Sequence, residues 1–173
     1  QKAALPHLQA ISVERREDAV VMDGPTRRNL EQDRSLSGHH EHTLALVIDR
    51  CQSPMGSRLL RRWNQRPRRD PDTVKARYQA IDKRQTRSAL DDQQTRLHGI
   101  GDVERILARV ALRSARPRDL RQLGEALSSL PELRRQLASF ESPLLEDLHG
   151  EIAEHRAQHD LLAKAIIDNP PML

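Results

Sequence analysis

A mainly all-α chain is predicted, a multi-helix core with one long antiparallel helical pair and a small N-terminal β-hairpin-like segment. Three observations predict it. From Thr43 onward the apolar residues recur at three- and four-residue intervals, the period of a helix face. Aromatic residues make up only 2% of the chain, so the core must be aliphatic. Hydrophobic residues are 36% and charged residues 31%, a balance that suits elongated helices with narrow apolar stripes better than a compact globule.

The only strand-like text lies near the N-terminus. Ile11 and Val13 alternate with polar residues, and residues 19–22 (AVVM) are short, apolar and β-branched, so the two stretches are expected to pair antiparallel. Asp23 is placed to cap a short helix carrying Thr26 and Glu31, its carboxylate accepting from free N–H groups. Residues 35–42 read as a loop. Leu44, Val47 and Ile48 then share one apolar face, and Ser53-Pro54 starts the next helix. There Met55, Leu59 and Trp63 fall at steps of four with Leu60 beside them, so that Arg58, Arg61 and Arg62 turn elsewhere. Pro67 ends this helix. Asp70-Pro71 opens another, on which Val74, Tyr78 and Ile81 share a face, with a break expected near Ser88.

Residues 101–120 (GDVERILARVALRSARPRDL) join two helices through a basic, proline-stopped break. Val103, Ile106, Leu107 and Val110 mark the first, and Asp102 and Glu104 put negative charge at its N-terminus. Pro117 suits the first turn of the second. From there Leu120, Leu123, Leu127, Leu130, Leu133 and Leu137 step by three and four, the seam of a helix packed lengthwise on a partner. A kink or break is expected at Pro131. A second seam runs from Ser142-Pro143 through Leu145, Leu148, Ile152, His155, His159, Leu162 and Ile166. The two seams imply the long antiparallel pair, with Phe140 in the connecting loop.

Little chemistry is written into this text. No Gly-x-x-x-x-Gly-Lys-Ser/Thr phosphate loop occurs, and after Gly99 and Gly101 the third glycine of a dinucleotide fingerprint is replaced by Glu104. His39, His40 and His42 lack the second histidine of a zincin motif, since Leu44 stands four residues after His40. His155 and His159 share a helix face, yet neighbouring carboxylates such as Glu151 and Asp160 can satisfy them. No metal, cofactor or catalytic residue is expected. A single cysteine, Cys51, excludes an internal disulfide and fits a reducing compartment. No apolar run is long enough for a membrane span and no signal peptide is visible, so a soluble, cytoplasmic protein is expected. The net charge of +4 does not by itself argue for nucleic acid. The strongest electrostatic feature is the cluster Arg58, Arg61, Arg62, Arg66, Arg68 and Arg69, the candidate nucleic-acid contact, through phosphates rather than bases because Trp63 belongs to the apolar face.

Four ordered blocks carry a family resemblance: residues 23–31 (DGPTRRNLE), 43–62 (TLALVIDRCQSPMGSRLLRR), 101–120 and 165–171 (AIIDNPP). Together they resemble the first segment of the core domain of MutS, the DNA mismatch-recognition family. Cys51 and Ser53 depart from the threonines common there, and Asn64 from an apolar residue. The resemblance implies a lever within a homodimeric clamp on mismatched double-stranded DNA. ATP and Mg would belong to a separate C-terminal domain, and MutL would be a partner. It implies that residues 1–173 are a core/lever fragment, with 1–10 the tail of a preceding connector and 165–173 the approach to a clamp. Asp23, Asn29, Leu30 and Glu31 would hold the base of the core, and Asp102, Glu104 and Arg105 a helix junction. Arg105, Arg109 and Arg113 form a basic stripe that could meet acidic groups of another domain or simply be solvated. The alternative is a free-standing helical interaction module dimerising through its leucine seam; a third reading is a small basic DNA-binding protein. A reading frame continuing past Leu173 into a clamp and a phosphate loop would favour the first.

Overall fold

The computed structural model describes residues 18–39, 41–83 and 87–170. Among them nine helices form. They divide into two compact units, residues 18–78 and 79–170, and the division falls inside the fourth helix.

In the first unit each helix starts where a short polar side chain can take up free N–H groups. Asp23 accepts from Thr26 N at 2.7 Å to open α1 (Gly24–Asn29), and Thr43 accepts from Leu46 N at 3.3 Å to open α2 (Leu44–Ile48). Ser53 accepts from Gly56 N at 3.2 Å at the head of α3 (Pro54–Gln65), and Asp70 accepts from Thr73 N at 2.9 Å at the head of α4 (Pro71–Lys83). Proline stands in the first turn of α1 and α3, where its missing N–H costs nothing. The expected loop is ordered by its own backbone: Ser35 N donates to His39 O at 2.8 Å and Gly38 N to Ser35 O at 2.9 Å. Gly38 has φ +86°, which a side chain would strain.

The interior of this unit is small and polar. Gln32, Ser35, Thr43 and Ala45 are buried, and Leu44 N and Ala45 N donate to the carbonyls of Glu31 and Gln32. The apolar face of Leu44, Val47 and Ile48 is outward, each at least 42% exposed. A five-residue helix has one inward position, and Ala45 fills it as α2 meets α3. Of the four residues expected to hold the base, Asp23 caps α1 and Glu31 accepts from Leu36 N at 2.7 Å, whereas Asn29 and Leu30 are exposed. One arm of the expected hairpin makes a contact elsewhere in the chain. Ala19 bridges antiparallel to Arg68, while Ile11 and Val13 lie outside the described residues. Tyr78 and Ile81 on α4 are also exposed, so their shared face is not a buried one within the chain.

The second unit is organised by α7 (Pro117–Leu137), which packs against α5 (Arg87–Gly99), α6 (Val103–Ala111), α8 (Pro143–Glu151) and α9 (Arg156–Ala165). Ser88, near which a break is expected, lies within the first turn of α5, and residues 84–86 before that helix are outside the described residues. The α7 seam is as predicted: Leu123 and Leu137 are buried, and Leu120, Leu127, Leu130 and Leu133 are half-buried. The pairing is antiparallel, since Arg118 Nε donates to Pro170 O at 3.3 Å, Arg121 meets Asp168 at 2.7 Å and Arg134 meets Glu154 at 3.6 Å. At Gly124 an added Cβ would sit 3.6 Å from the Leu162 side chain, an ordinary packing distance, so α9 lies against α7 at this point. Phe140, in the connection between α7 and α8, packs on a cluster of Ala80, Leu137 and Leu145.

Two expectations along the seams are corrected. Of the kink or break expected at Pro131, the break is absent: α7 is one helix through that position. One lost backbone bond is outweighed where the helix is flanked along its length, and the Ser128 and Ser129 hydroxyls donate to carbonyls of Glu125 and Ala126 in the preceding turn. The second seam, by contrast, is two helices. The chain leaves helical geometry at Ile152, and His155 takes a left-handed φ of +48° before α9. Leu148 and His155 are therefore exposed, while His159 Nδ1 lies 3.2 Å from Asp160.

Leu123, 9% exposed, should cost about 2–5 kcal/mol when cut to alanine, whereas Leu107→Ala, at a side chain 51% exposed, should cost less than about 1 kcal/mol. Chemical denaturation of the two variants checks the difference. Replacing Pro131 by alanine restores an intrahelical bond and should stabilise the chain by roughly 1–2 kcal/mol, read as a higher melting temperature.

Candidate functional site

The arginine cluster lies in the first unit, on α3 and the segment that follows it. Arg58, Arg61 and Arg62 are on the helix, Arg66 is its C-cap, and Arg68 and Arg69 are on the extended stretch after Pro67. That stretch is pinned by Val20 N donating to Pro67 O at 2.8 Å and Arg69 N donating to Asp18 O at 3.3 Å. Residues 18–23 therefore run beside the C-terminal half of α3. Between them lies a cleft of about 660 Å³.

The six arginines have different surroundings. Arg62, Arg66 and Arg68 line the cleft, and Arg68 also borders a shallower hollow with Arg69, Asp18 and Asp70. Arg58 lines neither, and Arg61 is 4.0 Å from Asp49. Burial raises the Asp49 carboxyl, but hydrogen bonds from Cys51 and Ser57 and the charge of Arg61 outweigh it and leave it below its ordinary value. The neighbouring Cys51 thiol is pushed up, first by burial and then by Asp49, so its thiolate is disfavoured.

Two arginines outside the sequence-predicted set join the site. Arg27 of α1 lines the cleft, and the Arg77 guanidinium of α4 stands 3.7 Å over the Trp63 ring. Desolvation and the nearby Arg68 lower the pKa of Arg77. Periodicity does place Trp63 with Leu59, as expected, yet this apolar face opens into the cleft: Leu59 is 45% and Trp63 42% exposed. The position of Arg77 one turn after Val74 and two turns after Asp70 could have flagged it, but only tertiary packing brings it to Trp63.

In the second unit, the stripe of Arg105, Arg109 and Arg113 is largely used locally. Arg105 pairs with Asp102 at 3.4 Å and Arg109 with Asp119 at 2.7 Å. Asp119 also accepts from Arg116 N at 2.9 Å, so one carboxylate joins the end of α6 to the start of α7. Asp102 caps α6 by accepting from Arg105 N at 3.3 Å, as expected of the junction. Among the described residues no three His, Cys, Asp or Glu side chains converge as a metal site, and no helix is long and apolar enough to cross a membrane. His40 lies outside the described residues.

The caps carry the pH dependence. The Thr26 hydroxyl and N–H hold Asp23 below the usual carboxylate range, and the Thr73 hydroxyl and N–H do the same for Asp70. A carboxyl whose folded value is depressed stabilises above the unfolded value of about 3.9 and loses that contribution as pH falls through the folded one. Helical circular dichroism should therefore hold from neutral pH down to about 5 and decline below about 4; substituting Asp23 and Asp70 by Asn should flatten the part of the decline due to these caps.

The family described as MutS domain III matches residues 25–173, from the first turn of α1 onward.

Proposed function

Because the chain belongs to the MutS domain III family, we propose that it is the lever of a mismatch-repair protein, coupling a separate ATPase domain to a DNA-gripping clamp. Domain III of MutS is a non-catalytic core, so this part of the protein transmits rather than performs chemistry. The observation that carries the reading is the match over residues 25–173, and the antiparallel packing of α7 on α8 and α9 supports it physically. A helix of 21 residues spans about 30 Å at 1.5 Å per residue, and its ends are held by ion pairs as well as by its seam. Such an element moves as a body, which a lever requires.

On this reading residues 1–10 belong to the tail of a connector and 165–173 lead toward the clamp. The whole protein is a cytoplasmic homodimer that takes mismatched double-stranded DNA, ATP and Mg, with MutL as a partner. Contact of Arg58, Arg61, Arg62, Arg66, Arg68 and Arg69 with DNA would be to phosphates, which carry no sequence information. The exposed apolar face of α2 supports membership of a larger assembly, because contiguous apolar surface of this kind is usually covered by a partner.

In the full-length protein Leu123→Ala should alter DNA release on ATP binding while leaving ATP affinity unchanged, because the coupling runs through the seam and no nucleotide-binding residue is touched. Stopped-flow release kinetics beside nucleotide titration test this; unchanged release in a destabilised variant overturns the lever. The isolated chain should bind duplex DNA weakly and without preference for a mispair. A preference of about tenfold would overturn that expectation.

A further inference from the structure

Asp23 and Gly24 form the only Asp-Gly pair of the chain, and no Asn-Gly pair occurs. At such a pair the glycine nitrogen can attack the side-chain carboxyl before it, because glycine carries no Cβ to hinder closure of a five-membered ring. The structure leaves this nitrogen open. Gly24 is the first residue of α1, where a backbone N–H has no partner within the helix, and no hydrogen bond from a turn, loop or cap among the described residues uses it. Asp23 and Gly24 are both exposed, and a Cβ built on Gly24 would meet nothing within 4 Å, so the ring has room. α1 buries none of its six residues, and a helix this short with no packed face opens at little cost.

We propose that the Asp23-Gly24 pair is a site of spontaneous covalent modification, where aspartate converts through a cyclic imide to isoaspartate, and that the cap of α1 gates the conversion. In the first step the Gly24 nitrogen bonds to Asp23 Cγ, the bond from Cγ to its hydroxyl breaks, and the nitrogen's proton leaves with that hydroxyl as water. A second water then opens the ring. Attack at Cγ restores aspartate, whereas attack at the backbone carbonyl carbon breaks its bond to nitrogen and leaves the main chain running through the former side chain. The two steps together consume nothing but the water they release. Thr26 is the gate: its hydroxyl and its N–H, the latter at 2.7 Å, hold the Asp23 carboxyl below its ordinary value. A charged carboxylate has no hydroxyl to lose, and one tied to Thr26 must be released before it can turn onto the Gly24 nitrogen. The product cannot resume the cap. With the chain lengthened by one carbon between residues 23 and 24, neither the side-chain bond to Thr26 N nor the bond from Arg27 N to Asp23 O, at 3.1 Å, keeps its place.

The whole chain is incubated for several weeks at neutral pH and body temperature in heavy-oxygen water, which marks each ring opening. Peptide mapping by mass spectrometry and enzymatic methylation of the freed α-carboxylate then count isoaspartate at every aspartate. Isoaspartate at Asp23 should accumulate about tenfold or more faster than at any other aspartate, and Gly24→Ala, for whose methyl there is room, should slow it about tenfold with unchanged circular dichroism. Thr26→Val, which removes the hydroxyl from the cap, should speed it about threefold. A free peptide of residues 20–30 reports the ungated rate and should convert faster than the folded chain. Conversion at Asp23 no faster than at the other aspartates, or unaltered by Gly24→Ala, overturns the site. An unaltered or slower rate in Thr26→Val, or equal rates in peptide and folded chain, overturns the gate.

Discussion

The aliphatic seam of α7 is the constraint on which the second unit depends. With almost no aromatic residues, the chain can bury apolar area only by laying leucines along a helix and bringing other helices to them. Leu123, Ala126 and Leu137 supply the buried positions, and Ile106, fully buried, secures α6 beside them. Everything else in this unit is arranged around that line. Leu162 of α9 packs at Gly124, the Arg109–Asp119 pair joins α6 to α7, and Arg118 and Arg121 hold residues 168–170 against the head of α7. Surface pairs of this kind contribute little individually, so their role is to fix register where the seam already supplies the attraction.

The first unit follows a different rule. Its buried residues are mainly polar or small, and its order comes from caps and loop hydrogen bonds: Asp23, Thr43, Ser53 and Asp70 each begin a helix. Its larger apolar residues point outward on α2 and along the cleft. A unit with so little apolar burial gains stability from whatever covers those faces.

The arginine cluster spans two kinds of backbone. Arg58, Arg61 and Arg62, at i, i+3 and i+4, share one side of α3, whereas Arg68 and Arg69 follow Pro67 on an extended stretch. The result is a split: some arginines line an apolar cleft, Arg61 serves Asp49, and Arg69 borders a separate hollow. Arg77, eight positions beyond the cluster, stacks over Trp63 at 3.7 Å.

Periodicity, caps and prolines determined the helical class, the starts of α3, α4, α6, α7 and α8, and the leucine seam, because these are local properties of the chain and need no partner to be expressed. The family blocks at residues 23–31, 43–62, 101–120 and 165–171 determined kinship in the same way. Tertiary structure decided the rest. Whether Pro131 breaks its helix depended on the helices flanking it, and whether the second seam stayed one helix depended on the left-handed turn at His155, which no periodic pattern encodes. Ala19 met the distant Arg68, and Leu59 and Trp63 faced a cleft rather than a core. An apolar stripe states only that a face avoids water; which surface it meets is set by the packing of segments distant in sequence.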